Sequence, residues 1–213
     1  MSALARFAKK GTPSSRLLTS RRSMFLLRQF GKMGEQLDLP ENCTMEFPDA
    51  KEGETPGSSA DKYKRFVVHF RPEDGLYAGG VYRFEFDVTD VPEYPDRPPK
   101  VRCLTRVWHP NIALDGRVCH NFLQANPIYG EGCGYTPALG LSSLVNGVIT
   151  MFDVSSSEHH SDSFNPASPL NTEAAEQFIK DYPAFVRNAR EYTRQYAQPV
   201  PIKPWCLASD EDE

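Results

Sequence analysis

W-H-P-N-I-A-L-D-G-R-V-C-H-N-F-L-Q, residues 108–124, is the stretch from which the rest of the chain can be read. His109-Pro110 stiffens its start, because proline locks its own φ and restricts the residue ahead of it. Asp115-Gly116 marks a tight turn, glycine accepting positive φ at no steric cost. The segment is therefore rigid and non-helical, and it carries Cys119 past Asn111. A cysteine can hold an acyl group, and a side-chain amide can donate to an oxyanion. That pair suggests acyl transfer through a thioester.

Upstream of this stretch the chain reads as strands. Residues 43–47 (C-T-M-E-F), 64–70 (K-R-F-V-V-H-F) and 81–88 (V-Y-R-F-E-F-D-V) are three of them, and a short fourth follows Y-P-D-R-P-P at 94–99. In the third, Tyr82, Phe84, Phe86 and Val88 alternate cleanly onto one face. Gly79-Gly80 belongs to a hairpin: neither G-x-x-x-x-G-K-[ST] nor a following helix is present, so a phosphate loop is excluded. Three prolines (95, 98 and 99) forbid ladder donation before the fourth strand, and the isomer of each X-Pro bond is not fixed by sequence.

Helices flank the strands. Residues 16–37 read as one, with Leu18, Met24, Phe25, Leu27 and Phe30 inward and Arg21, Arg22 and Arg28 outward. Downstream, Leu141, Leu144, Val145, Val148, Ile149 and Phe152 fit a buried stripe. Asn171 is placed to cap a helix over T-E-A-A-E-Q-F-I-K. Pro183 opens a last helix with Phe185, Val186, Ala189, Tyr192 and Tyr196 on its apolar face. Residues 48–61, 125–139 and 153–168 read as loops. The order is helix, four strands, active-site loop and three helices. Short turns between consecutive strands argue an antiparallel meander with segregated helices, an α+β fold. Residues 1–15 read as a basic arm, 16–198 as one domain and 199–213 as a Pro-rich, acidic tail.

The 213 residues suit one sizeable core, and no apolar run is long enough for a membrane-spanning helix. The five cysteines form no C-x-x-C pair, so zinc spacing is absent, and their odd number fits a reducing compartment. Net charge is −4, but residues 1–34 hold eight Lys or Arg and no acid. Removing those eight charges leaves −12 on the other 179 residues. Three readings of the arm stand: a solvated tail, a docking arm for an acidic partner, and a mitochondrial transit peptide. No aromatic-basic interleaving favours nucleic-acid binding.

H-P-N, the D-G turn and V-C resemble the active-site signature of ubiquitin-conjugating enzymes, at His109, Pro110, Asn111, Gly116, Val118 and Cys119. Four further stretches agree in order: G-L-Y-A-G-G-V-Y-R-F (75–84), Y-P-D-R-P-P-K-V (94–101), Y-T-P-A-L (135–139) and S-P-L-N-T-E-A-A (168–175). The resemblance covers roughly residues 16–197. The basic arm, V-R-C-L-T-R-V-W-H-P-N-I (101–112) and G-E-G-C-G-Y-T-P (130–137) are most similar to the branch conjugating the Nedd/Rub-type ubiquitin-like protein. The fold implied is the ubiquitin-conjugating fold, with the strand and helix order just read.

The resemblance implies that Cys119 accepts the cargo's C-terminus as a thioester, in an ATP-dependent pathway, and that a lysine then attacks it. Asn111 would support the oxyanion or the loop around it. The implied partners are a Nedd-type ubiquitin-like protein, its activating enzyme and a RING-type, cullin-associated ligase, with the chain a monomer in cytoplasm and nucleus. Leu4 and Phe7 would anchor the arm on partners, with Arg21 and Arg22 beside them. No cofactor, metal, nucleic acid or membrane is implied. Two departures stand out: His120 replaces the usual leucine, and Ser168 replaces an aspartate that often flanks the cleft. Adjacent side chains of an extended segment point oppositely, so His120 is assigned a surface or packing role. Phosphorylation of Ser168 would restore negative charge.

Other readings compete. Cys119 is alternatively a structural thiol, Asn111 a turn-stabilising amide, and His109 is read as structural rather than as a base. A papain-like protease lacks its local cysteine context here. A conjugating enzyme for ubiquitin itself and a non-catalytic adaptor of the same fold remain, and Cys119 argues against the adaptor.

Overall fold

The computed structural model describes residues 13–30 (side chains from Arg21), 39–49, 63–124, 134–153 and 168–200. β1 (Cys43–Glu46), β2 (Arg65–Phe70), β3 (Tyr82–Asp87) and β4 (Lys100–Cys103) form one antiparallel sheet in sequence order. Residue pairs such as Phe66 with Phe86 and Val68 with Phe84 fix the β2–β3 register. That register puts Phe66, Val68 and Phe70 on the same face as Tyr82, Phe84 and Phe86, and all six are buried. A one-residue slip would turn these rings to the other face, so the alternation excludes that register. Phe66 and Phe86 stack with centroids 5.0 Å apart.

α2 (Leu141–Ile149) lays Leu141, Leu144, Val145 and Val148 into the core, as its spacing predicts. A single 3-10 turn, Thr150–Phe152, follows it. Phe152 then touches Phe70, Tyr77, Tyr82, Phe84 and His109, with centroids 4.7–5.8 Å apart. One ring thus ties the sheet to the H-P-N segment. Asn171 caps α3 (Thr172–Lys180) as expected, accepting from Ala174 N–H at 3.1 Å. Asp181 caps α4 (Tyr182–Tyr196) in the same way, with Pro183 in the first turn. α4 is fastened to β3 by Tyr82 Oη and Thr193 Oγ1, 2.7 Å apart. The Val81 N–H donates to the Ala197 carbonyl at 2.8 Å.

The N-terminal helix corrects two expectations. α1 runs Pro13–Gln29, so Pro13, Ser14 and Ser15 belong to the helix and not to the arm. Proline suits a first helical turn, where its missing N–H has no partner to lose. Arg22 was expected to face outward, whereas the buried stripe is Arg22, Leu26 and Phe30, and Met24 is 67% exposed. The guanidinium of Arg22 enters the core because carbonyls wait for it. Its Nη1 donates to Val88 O at 3.2 Å and Thr89 O at 3.3 Å. Arg21, by contrast, is exposed and pairs with Asp96 at 2.6 Å. Arg21 and Arg22 together therefore clamp α1 onto residues 88–96. The bond between Tyr94 and Pro95 is cis.

Candidate active site

The loop carrying Cys119 is built from β4 outward. Gly116 adopts φ +89°, and its carbonyl accepts the Cys103 N–H at 2.8 Å. Asp115 Oδ1 accepts the Arg117 N–H, closing the turn, while Arg102 donates twice to the Asp115 carbonyl. Ile112 then bridges Val118 antiparallel. Directly after, the Cys119 N–H donates to the Asn111 carbonyl at 2.9 Å. The eight-residue separation read in the sequence is thus a small hairpin that places Asn111 and Cys119 side by side on the backbone.

His109 is the buried post of this arrangement, fully shielded from solvent. Its Nδ1 accepts the Asn111 N–H at 2.9 Å. Nε2 lies 3.0 Å from the Met151 carbonyl, so the ring must carry its proton there. Both nitrogens are spoken for by a neutral imidazole, and burial lowers its pKa to about 4 despite the Met151 bond. His109 is structural, as read from sequence; it holds the loop and does not act as a base. The Pro110 carbonyl accepts the N–H groups of Leu170 and Asn171. Tyr77 Oη donates to the Trp108 carbonyl at 2.8 Å. The segment is therefore fixed to the β2–β3 connection, to the turn that follows α2 and to the α3 cap.

Among the described residues three cysteines are free thiols. Burial pushes Cys43 up to about 11 and Cys103 up to about 12, so both stay protonated at neutral pH. Cys119 alone of the three reaches the surface. It lies on a groove of about 630 Å³ between residues 90–101 and the 117–124 segment. Pro98, Pro99, Val118, Leu123 and Leu170 give the groove apolar walls, and Asp90, Glu93, Arg97 and Lys100 give it charged ones.

Asn111 is 2% exposed, and its Nδ2 donates to the Ser168 carbonyl at 3.3 Å. Asn111 and Ser168 are thus brought together, but through the main chain of Ser168, whose residue is exposed. The amide holds residues 168–170, just ahead of the α3 cap, against the loop that bears the thiol. His120 turns its Nδ1 to the Phe122 N–H, 3.2 Å away, and caps a 3-10 turn over Asn121–Leu123. Its ring packs on Phe122, and burial lowers its pKa. Leu4 and Phe7 lie outside the described residues. Arg22 is withdrawn as a docking contact because its guanidinium is spent on core carbonyls.

Sequence reading passed over Gln124. It closes the 3-10 turn, and its Nε2 lies 4.0 Å from Cys119 Sγ. Only the return of the chain in that turn reveals the contact, and no spacing rule signals it. Among the described residues no set of His, Cys, Asp or Glu could hold a metal ion. None of the described helices is long and apolar enough to cross a membrane.

The family model for ubiquitin-conjugating enzymes matches residues 41–193. The chain belongs to the ubiquitin-conjugating enzyme family. Among curated relatives, the NEDD8-conjugating enzyme UBE2F of Homo sapiens is 32% identical over 194 residues, covering 91% of each chain. The same-named protein of Gallus gallus is 33% identical over 177 residues, covering 83% of each. A solved structure of S. cerevisiae Ubc12 superposes with a TM-score of 0.59 at 30% identity, covering 83% of this chain and 84% of that one. The α+β ubiquitin-conjugating fold and the Nedd-type resemblance read from the motifs both hold.

Proposed function

We propose that the chain accepts a Nedd-type ubiquitin-like protein from its activating enzyme as a thioester on Cys119. It then passes that protein to a substrate lysine with the help of a RING-type, cullin-associated ligase. One observation carries the reading: a surface thiol on a rigid hairpin, at the rim of a groove with apolar and charged walls. The relatives' names support the Nedd-type cargo. In loading, Cys119 sulfur attacks the carbonyl carbon of the cargo's thioester, and the activating enzyme's sulfur leaves. In discharge, a neutral lysine amine attacks the same carbon and the electron pair of the C–S bond returns to Cys119. The acyl group arrives already activated, so the site contributes mainly alignment and desolvation. No strong base is required beside the thiol, which agrees with a structural His109. A monomer in cytoplasm and nucleus completes the proposal.

The test is a non-reducing gel of the full chain with ATP and matched pairs of activating enzyme and cargo, Nedd-type against ubiquitin. The expected result is a reducible adduct with the Nedd-type pair, absent in Cys119→Ala. An adduct with ubiquitin only would keep the mechanism and sink the cargo assignment. An adduct with neither would leave the adaptor reading.

Asn111→Ala separates the two halves of the mechanism. Loading should persist, because the hairpin is held by backbone bonds. Discharge onto lysine should fall on the order of tenfold to 100-fold, at or below the low end of the roughly 100-fold to 1,000-fold known for lost oxyanion-hole donors, because the amide is already held by the Ser168 carbonyl. Pulse-chase gels measure both steps, and equal losses in the two would contradict the role.

A further inference from the structure

Gln124 is the side chain that the reaction as described leaves unused, although it approaches the reacting atom. Its Nε2 lies 4.0 Å from Cys119 Sγ. The Asn111 Nδ2 is directed instead at the Ser168 carbonyl. The backbone of Gln124 is held at both polar groups. Its N–H donates to Asn121 O at 3.1 Å, and its carbonyl accepts the Tyr135 N–H at 3.1 Å. Tyr135 is itself anchored, its hydroxyl donating to the Pro95 carbonyl at 2.8 Å. His120 caps the turn that returns the chain. The carboxamide therefore stands beside the sulfur because the fold puts it there, on a half-buried position where a hydrogen bond is less diluted by water.

We propose that Gln124 is a catalytic residue of this site, its amide N–H stabilising the Cys119 sulfur anion as the thioester forms and breaks. This rests on the acyl-transfer reading above and deepens it. In loading, the sulfur must be a thiolate to attack. In discharge, the N–C bond forms, the S–C bond breaks, the electron pair goes to Cys119 sulfur and the amine's proton goes to solvent. In both steps negative charge sits on Sγ, and a donor within reach favours it. A neutral amide can do this without attracting the cation of the acceptor lysine into a competing ion pair.

The experiment needs no cargo. The full-length chain is alkylated with iodoacetamide at pH 7, and the Cys119 peptide is followed by mass spectrometry in wild type, Gln124→Met, Gln124→Glu and Gln124→Lys. Methionine matches the length without a donor and should slow alkylation about three- to tenfold, the worth of one such hydrogen bond. Glutamate, isosteric but anionic, should be slower still. Lysine, which restores a donor, should match or exceed wild type. A structural role for Gln124 predicts no such order by charge and donor. Methionine within twofold of wild type, or lysine slower than methionine, would overturn the proposal, as would methionine and glutamate reacting equally. Melting curves show whether each variant is folded. Single-turnover discharge onto free lysine should follow the same order. Because alkylation is independent of the cargo, loss of this order and failure of the Nedd-type adduct are separate results.

Discussion

Gly116→Ala is expected to cost at least about 4 kcal/mol of folding stability and to take thioester formation down with it. Two effects add. At φ +89° an L-residue with a Cβ is strained by about 1–2 kcal/mol. The larger effect is space. A Cβ there would lie 2.2 Å from the Cys103 carbonyl oxygen and 3.2 Å from Arg102 Cγ. That oxygen is main chain of the last residue of β4, which pairs with Phe84. It cannot retreat without opening the sheet. The loop must lift instead, giving up the Cys103–Gly116 and Gly116–Ala113 backbone bonds. Val118 and Cys119 follow immediately on that loop. Gly79→Ala is the control, since Gly79 has φ +83° but nothing within 4 Å of its would-be Cβ. It should lose only the conformational part, about 1–2 kcal/mol. Urea unfolding of both variants measures the difference. Equal losses would mean that backbone strain, and not the contact with β4, fixes the loop.

That glycine also shows how much of the site was legible. The D-G turn, the rigid H-P-N and the alternation of the third strand are local signals, written in φ preferences and in a period of two. They led to the right strand order, the right α2 stripe and the Asn171 cap. What sequence could not supply were partners distant along the chain. Arg22 reads as an outer residue because arginine is usually solvated, and only the carbonyls of residues 88 and 89 turn it inward. The same holds at Asn111. Its residue type suggested an oxyanion donor, but its partner, the Ser168 carbonyl, lies 57 positions away. Gln124 was missed for the related reason that a single 3-10 turn, too short to leave a periodic pattern, carries it back to Cys119. Ser168 stands out in the sequence for its side chain, but its contact with Asn111 is made through its main chain.

Acidification should strip stability from this protein through His109. The sign follows from burial. Its folded pKa is lowered to about 4 from an ordinary 6.5. Above pH 6.5 the ring is neutral in both states. Between 6.5 and 4 the unfolded chain takes up a proton that the folded chain refuses, so stability falls with pH across that window. Integrated over it, the loss is about 3 kcal/mol. His120 and Asp115, both lowered, titrate in the same sense. The test is therefore a difference, with urea unfolding at pH 7.5 and 4.5 in wild type and in His109→Asn. Asparagine offers an acceptor toward the Asn111 N–H but cannot titrate. The variant should be less stable at pH 7.5, having lost the Met151 bond and some packing on Tyr77 and Phe152. Its further loss on acidification should be smaller than wild type's by about 2–3 kcal/mol. Equal slopes would mean that His109 takes up a proton while folded. Nitrogen NMR of wild type offers a second reading of the same question, with the proton on Nε2 and no titration above pH 5. Protonation would place an N–H at Nδ1 against the N–H of Asn111, at the base of the hairpin that aligns Cys119. The ring that keeps the thiol in place can do so only while neutral, which links the pH range of folding to that of the chemistry.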